Sequence, residues 1–483
     1  TQVTLTALTD SGKTKTITVT VVSNLILEID REYAKPGELI TADVANLPEG
    51  VSLNYRWEID GKTVSQKNGY TPTDSNLNHF ITVTASTEEG NKIDDLKIYC
   101  SKLPVVYIDT VDGHGITSKS DYKSASMRIQ GNDRFNSQNT TLYDGGISIR
   151  GRGNSTWNTS YSKLPYKIKL DSKTNLFGFG KSKHWALLAN YMDESLVRNT
   201  TSYDLSGTMG MNYLKSTHVD VILNGVYAGN YQLVGNVRVE SSRVDIYDWE
   251  DCAKDAAKSV IKQAGDKTDG AADALEDQLV ENLSWITRGV VTYNGNNYDI
   301  KDCLPRDKDG NVDYSGGFLI ELDAYYDEVS KFKTDYNQPI MLKSPEYAYT
   351  NDELFASVKN YIQAVENSIH ASDFYTQYEQ QSRHYTDLVD MDSLVRYFML
   401  NEFFWNTETM KKSTYMYKDL GSKLYIGPVW DMDWTSNSLV SAYETGSYDR
   451  WMTSERNDAN GHSGQNQQWY KYLLNDPYFV TKV

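Results

Sequence analysis

The sequence predicts a multidomain protein, with an all-β sandwich at the N-terminus followed by an α+β domain. Three observations lead there. The chain has 483 residues, more than one ordinary hydrophobic core organises, so two or three domains are expected. Residues 1–102 alternate apolar and polar positions with turn residues between the runs, the period of half-buried strands. After SKLPVVYIDT, which starts at Ser101, mixed helix and strand patterns take over, with many Tyr and Trp.

The strand runs come in order: TLTAL, TITVTVV, LILEID, LNYRWEID, FITVTAS and DDLKIYC. Trp57 points inward on its strand, and Asp60-Gly61 forms the turn that follows. This arrangement resembles bacterial Ig-like modules, in which one buried Trp anchors a two-sheet core. Residues 1–22 then read as the tail of a preceding β module, 23–102 as a complete Ig-like domain and 103–483 as the second domain. The chain opens inside a strand pattern and ends on NDPYFVTKV without a stop signal, so truncation is expected at both ends.

Helices are clearest late in the chain. Thr350 and Glu353 form the pattern of a capping box, and Leu354, Phe355, Val358, Tyr361, Ile362, Val365 and Ile369 follow at helical spacing. DMDSLVRYFMLNEFFW is apolar nearly all round, which predicts a core helix. The Ala-, Asp- and Lys-rich stretch from Glu250 to Leu283 reads as a surface helical insertion without a catalytic role.

With 48 Lys+Arg against 65 Asp+Glu the formal charge is −17, which argues against nucleic acid or an anionic membrane as the main partner. No apolar run reaches the ~18 residues of a membrane span, and no leader pattern is visible. Cys100, Cys252 and Cys303 are widely spaced and odd in number, so buried or free thiols are expected rather than a disulfide framework. The histidines lack metal-ligand spacing.

Charge concentrates in three otherwise apolar segments. In GGISIRGRGNSTWNTSYSKLPYKIKL, Arg150 and Arg152 alternate with Gly151 and Gly153, and Lys163, Lys167 and Lys169 alternate along a strand. Glycines admit close backbone approach, and a cationic row on one strand face suits an anion such as phosphate; a solvated strand face fits equally well. In HWALLANYMDESLVRNTTSYDL, Arg198 and Asn199 enter a helix starting near Ser195. The third segment ends in GPVWDMDW. A hairpin made of STYMYKD, a turn at Gly421 and KLYIGPVWD would deliver Asp431 beside the loop holding Asn406 and Glu408. On a strand-like backbone Asp431 and Asp433 share one face, so their carboxylates converge, which is unfavourable unless a cation lies between them. A hard cation such as Mg2+ takes one or two carboxylates plus phosphate oxygens.

Taken in order, RGRGNSTW with KLPYKIKL, WALLANYMDESLVRN, VILNGVYAGNYQL, GGFLIELD and GPVWDMDW resemble the CotH kinase family, named for spore coat protein H, over roughly residues 103–483. The resemblance implies an atypical protein-kinase-like fold, ATP with Mg2+ (or Mn2+) as cofactors, and phosphorylation of Ser or Thr on a protein acceptor. It further implies a secreted bacterial protein, at the cell surface or extracellular. By matched position, Asp431 is the metal-holding aspartate with Asp433 in support. Lys163 is the phosphate lysine, and Arg150, Arg152 and Arg198 neutralise phosphate oxygens.

Three positions depart from the family. Glu408 stands where an Asp base is typical, Ser413 where a metal-binding Asn is typical, and Gly235 where a Glu steadies the lysine, with Glu240 a few residues further on. A glutamate still accepts a proton and a serine hydroxyl still reaches a metal, so Glu408 is the candidate base and Ser413 a candidate ligand. The resemblance is therefore compatible with an active, a weakened or a non-catalytic kinase. A competing class is a non-catalytic surface scaffold that binds cell-wall or other polysaccharide, for which 36 Tyr and 10 Trp supply stacking surfaces. A glycoside hydrolase with Glu408 and Asp431 as acid and base is a third, less supported class.

Overall fold

The computed structural model describes residues 2–8, 12–20, 25–31, 33–131, 140–435, 451–455 and 468–483. It is mixed α/β with abundant strands, and its contacts divide it into two compact units. The first is Thr1–Gly115, Ser124–Gly146 and His218–Asn230; the second is Ile116–Lys123, Ile147–Thr217 and Tyr231–Val483. The first unit takes in stretches from further along the chain.

Among the described residues the first unit is all-β up to residue 102, apart from a short helical turn at Asp74–Asn76. Strands Gln2–Leu8 and Thr14–Thr20 form an antiparallel hairpin. Beyond it one sheet joins Ile26–Ile29, Ile40–Ala45 and Gly69–Tyr70, and a second joins Lys62–Ser65, Leu53–Ile59, Phe80–Thr87 and Lys92–Tyr99. Period-two alternation sends Leu27, Ile40, Val44, Trp57, Ile81 and Val83 into one core. Trp57 is fully buried, and its indole N–H donates to Lys67 O at 2.9 Å, which satisfies the ring's one polar atom. Strand Val105–Thr110 then runs antiparallel to Lys123–Gly131 and parallel to Ser216–Leu223. Buried Asp220 ties this ladder down, accepting from Ser101 Oγ at 2.6 Å and Tyr227 Oη at 3.1 Å.

In the second unit, residues 147–151, Tyr166–Asn175, Lys181–Leu188 and residues 232–235 pair in succession, with Arg150 opposite Lys167, Ile168 opposite Trp185 and Trp185 opposite Gly235. A five-stranded sheet follows in the order Lys331–Lys333, Pro339–Ser344, Phe318–Leu322, Thr414–Lys418, Tyr425–Ile426. Helices Asp352–His370 and Met391–Phe403 bury their apolar faces in the same core cluster as this sheet, as the spacing predicts.

Local details depart from the expectations. The cap of helix Asp352–His370 is Asn351, whose side chain accepts from Leu354 N at 3.0 Å. Thr350 instead donates to Tyr347 O. The cap sits one residue later because asparagine caps at least as well as threonine. The expected surface insertion is part of the core: helix Trp249–Ala264 buries Trp249, Cys252, Ala253, Ala256, Ala257 and Val260. Its charges fall on one side and its alanines on the other, a spacing that composition alone conceals. The hairpin after Gly421 has a second strand of two residues, Tyr425–Ile426, since Pro428 lacks the N–H a ladder needs. Cys100, Cys252 and Cys303 are free thiols, the first two buried.

Candidate active site

A cleft of about 370 Å³ lies wholly within the second unit. Arg150, Arg152, Lys119, Lys167, Lys343 and Lys412 line it together with Glu321, Asp323, Glu408, Asp431 and Asp433. Cationic and acidic groups from distant parts of the sequence thus share one hollow. Six of the eight residues singled out from the sequence converge there: Arg150, Arg152, Glu408, Ser413, Asp431 and Asp433.

On the acidic side, the loop after Trp430 is not a strand. Asp431 has φ +60°, so the two aspartates meet through a left-handed turn rather than the expected i, i+2 pleat. Helix Arg198–Thr208 fixes this turn. Met432 N donates to Asn199 Oδ1 at 2.6 Å, and Asp431 N to Tyr203 Oη at 3.4 Å. The Tyr203 ring stacks on Trp430 at 6.0 Å. A second loop closes against it: Asn406 Nδ2 donates to Asn401 Oδ1 at 2.7 Å and Met432 Sδ at 3.3 Å, while Glu408 N donates to Asn406 Oδ1 at 3.1 Å. Ser413, itself at φ +50°, donates from N to Asp323 Oδ2 at 3.2 Å and from Oγ to Asp431 Oδ2 at 3.3 Å. Lys412 Nζ lies 3.0 Å from Glu408 Oε1.

Solvent still reaches Asp431. The protein crowding it and the Glu408 carboxylate nevertheless push its carboxyl up, against the pull of Arg152. Asp433 is buried, and burial with the charges of Asp431 and Glu408 pushes it well above the usual carboxylate range. Burial also raises Asp323. Such mutual repulsion is what a cation relieves. Among the described residues no group of three or more His, Cys, Asp or Glu side chains is placed to hold a metal ion by itself. The donors fit a hard ion that keeps water and phosphate oxygens in its shell and takes one or two carboxylates from the protein, as Mg2+ does.

On the cationic side, Arg150 donates to Lys119 O and lies over the Tyr122 ring at 5.0 Å. Lys119 Nζ in turn donates to Gly153 O at 2.7 Å, which ties down the glycine-rich loop. Gly151 has no room for a side chain, since a Cβ there would overlap the Trp157 ring. Arg152 lies over the Trp430 ring at 5.3 Å, joining the two halves of the cleft. Lys167 is held down to about 8 by burial and by the positive charges of Arg150, Lys343, Arg152 and Arg238.

Two expected phosphate ligands sit elsewhere. Lys163 is not among the lining residues. It precedes strand Tyr166–Asn175, and its ammonium lies over Tyr231 at 5.4 Å. Arg198 pairs with buried Asp193, whose carboxylate also accepts from Arg198 N at 2.8 Å; it anchors the helix that holds the Asp431 turn. Gly235 faces the buried Arg243 guanidinium, and Glu240 lies 3.6 Å from Lys173, so neither position brings a carboxylate to the cleft. Sequence reasoning passed over Lys167, Lys343, Lys412, Glu321 and Asp323 as site residues. Lys167 belonged to the alternating cationic row, and Glu321 and Asp323 lie in GGFLIELD; Lys343 and Lys412 carried no motif signal.

A family model described as CotH kinase protein matches residues 149–483, from the strand carrying Arg150 to the C-terminal residue. A search of curated proteins finds no match to the chain.

Proposed function

The chain belongs to the CotH kinase protein family, and from that premise we propose that it binds ATP with Mg2+ (or Mn2+) in this cleft and transfers the γ-phosphate to a Ser or Thr hydroxyl of a surface protein. The carrying observation is the single hollow shared by Arg150, Arg152 and Lys167 on one side and Glu408, Ser413 and Asp431 on the other. Phosphoryl transfer depends on positioning and charge neutralisation rather than on covalent chemistry by the protein, and both are features of this arrangement.

Arg150, Arg152 and Lys167 neutralise phosphate oxygens. Asp431, with the Ser413 hydroxyl and Asp433 beside it, would hold the divalent ion, which when bound offsets charge on the phosphates. Glu408, aimed by Asn406 and Lys412, accepts the hydroxyl proton as that oxygen bonds to the γ-phosphorus and the bond to ADP breaks. The all-β N-terminal region supports an Ig-like spacer and a secreted or cell-surface location, by analogy of architecture. No described helix is long and apolar enough to cross a membrane.

The test is equilibrium titration with ATP, with and without Mg2+, on wild type, Asp431→Ala and Glu408→Gln, followed by transfer from labelled ATP. Wild type binds; Asp431→Ala loses the Mg2+-dependent part. Glu408→Gln keeps binding but loses about 10²–10⁴-fold in transfer. Absence of binding by wild type removes the kinase reading.

A second reading, a non-catalytic surface scaffold or carbohydrate binder, is favoured by the departures at Glu408, Ser413 and Gly235 and by the pair Tyr161 and Tyr191, stacked at 4.2 Å with Tyr191 exposed. A glycan-array signal that survives Asp431→Ala, from a protein inert toward ATP, supports that reading.

A further inference from the structure

The lysine–glutamate pair that steadies phosphates in the family pattern is not rebuilt at Lys163 and position 235. Lys163 lies over Tyr231, and position 235 meets the Arg243 guanidinium. A different lysine in the cleft is clamped by carboxylates. Lys343, on strand Pro339–Ser344, has its ammonium 3.2 Å from Glu321 Oε2 and in closer contact with Glu328 Oε1.

Glu321 is a rigid partner. It sits on the central strand Phe318–Leu322 with Tyr415 directly opposite on the next strand, it is 6% exposed, and it hydrogen-bonds the Tyr415 side chain. Burial alone would lower Lys343, but the carboxylates of Glu321 and then Glu328 raise it above its ordinary range, so its charge is fixed. An ammonium has three N–H donors. Two are engaged by the carboxylates, and among the described residues the ammonium has no further ion pair, so the third can serve a ligand in the cleft that Lys343 lines. Lys167 differs: its pKa near 8 leaves its charge dependent on what occupies the cleft.

We propose that Lys343, oriented by Glu321 and Glu328, grips the phosphates of the nucleotide and replaces the lysine–glutamate pair missing from positions 163 and 235. The inference rests on the nucleotide-binding reading above. It makes Lys343 a ligand contact and Glu321 a positioning residue.

The experiment titrates wild type, Lys343→Met, Lys343→Arg, Glu321→Gln and Lys163→Met with Mg–ATP and separately with adenosine, with thermal melts to verify folding. Loss of a charge-assisted phosphate bond predicts at least about tenfold weaker Mg–ATP binding for Lys343→Met. Adenosine affinity stays within about twofold, Lys343→Arg recovers most of the loss, and Glu321→Gln shows a smaller selective loss. Lys163→Met changes neither. Unchanged Mg–ATP affinity in Lys343→Met, a larger loss in Lys163→Met, or equal losses for ATP and adenosine overturns the inference while leaving the kinase reading intact. A wild type that binds no Mg–ATP overturns both. Should Lys343→Met fail to fold, Glu328→Gln is read the same way: a loss confined to Mg–ATP supports the assignment, and no loss overturns it.

Discussion

Arg150 and Lys167 stand directly opposite each other on adjacent antiparallel strands, both on the wall of the same cleft. Like charges in that register destabilise a sheet. Among the described residues the Lys167 ammonium has neither an ion pair nor a hydrogen bond to offset the repulsion. The arrangement makes physical sense when an anion completes it.

Replacing Lys167 by methionine should therefore stabilise the ligand-free protein and weaken it as an anion binder. At pH 7 the melting midpoint rises by about 1–2 °C, the shift that ~1 kcal/mol produces in a unit as large as the second, while the further rise caused by tripolyphosphate shrinks. Differential scanning calorimetry with and without the anion reads both effects.

The same lysine sets a pH dependence. Its folded pKa, about 8, lies below the ordinary 10.5, so between those values the unfolded chain binds more protons and this group makes stability rise with pH. The wild-type deficit relative to Lys167→Met is full below about pH 8 and fades toward pH 10.5. Melts of both proteins across that range check it; a constant difference contradicts the assignment.

Asp431 behaves in the opposite sense. Its carboxyl and that of Asp433 are raised above the ordinary 3.8, so the folded state holds protons longer and stability falls as pH rises above that value. Asp431→Asn should stabilise the free protein at pH 7 and abolish the Mn2+-dependent part of the ATP-induced thermal shift.

Asn406→Ala should destabilise by about 1–3 kcal/mol, because it strands buried partners at Asn401 and at the Glu408 amide. Urea denaturation measures the loss. Phosphoryl transfer, followed under conditions where the variant remains folded, should fall as well, since Glu408 is no longer aimed.

Gly235→Ala should destabilise by about 1–3 kcal/mol by overpacking, because its methyl group overlaps the Arg243 guanidinium. That guanidinium is buried, bonded to Phe179 O at 2.6 Å, and so yields poorly. In an Arg243→Ala background the same substitution should be milder, a coupling that a double-mutant cycle in urea reads directly.

Much of this was legible in the sequence because it rests on local pattern. Period-two runs gave the N-terminal strands and Trp57, and helical spacing gave Asp352–His370 and Met391–Phe403. Arg150, Arg152, Glu408, Ser413, Asp431 and Asp433 reach one cleft, and each lies in a segment where charge interrupts apolar sequence. What failed depended on where strands begin and which side chains face inward. Lys163 lies before the strand that carries Lys167, and a shift of register cannot be seen in a row of alternating lysines. Lys343 and Glu321 meet across neighbouring strands, a long-range pairing that no spacing along the chain announces. The core position of helix Trp249–Ala264 was hidden by its composition, since alanine counts little as a hydrophobe yet packs closely.

Asp431 and Ser413 both adopt left-handed backbone angles, a region that glycine enters freely, asparagine and aspartate tolerate, and serine enters at a greater penalty. Evolution under selection for heat resistance alone would therefore drift toward glycine or asparagine at these two sites. Such a lineage would gain robustness and lose the Asp431 carboxylate and the Ser413 hydroxyl, so the residue found at each site in a natural variant would report whether the chemistry is retained.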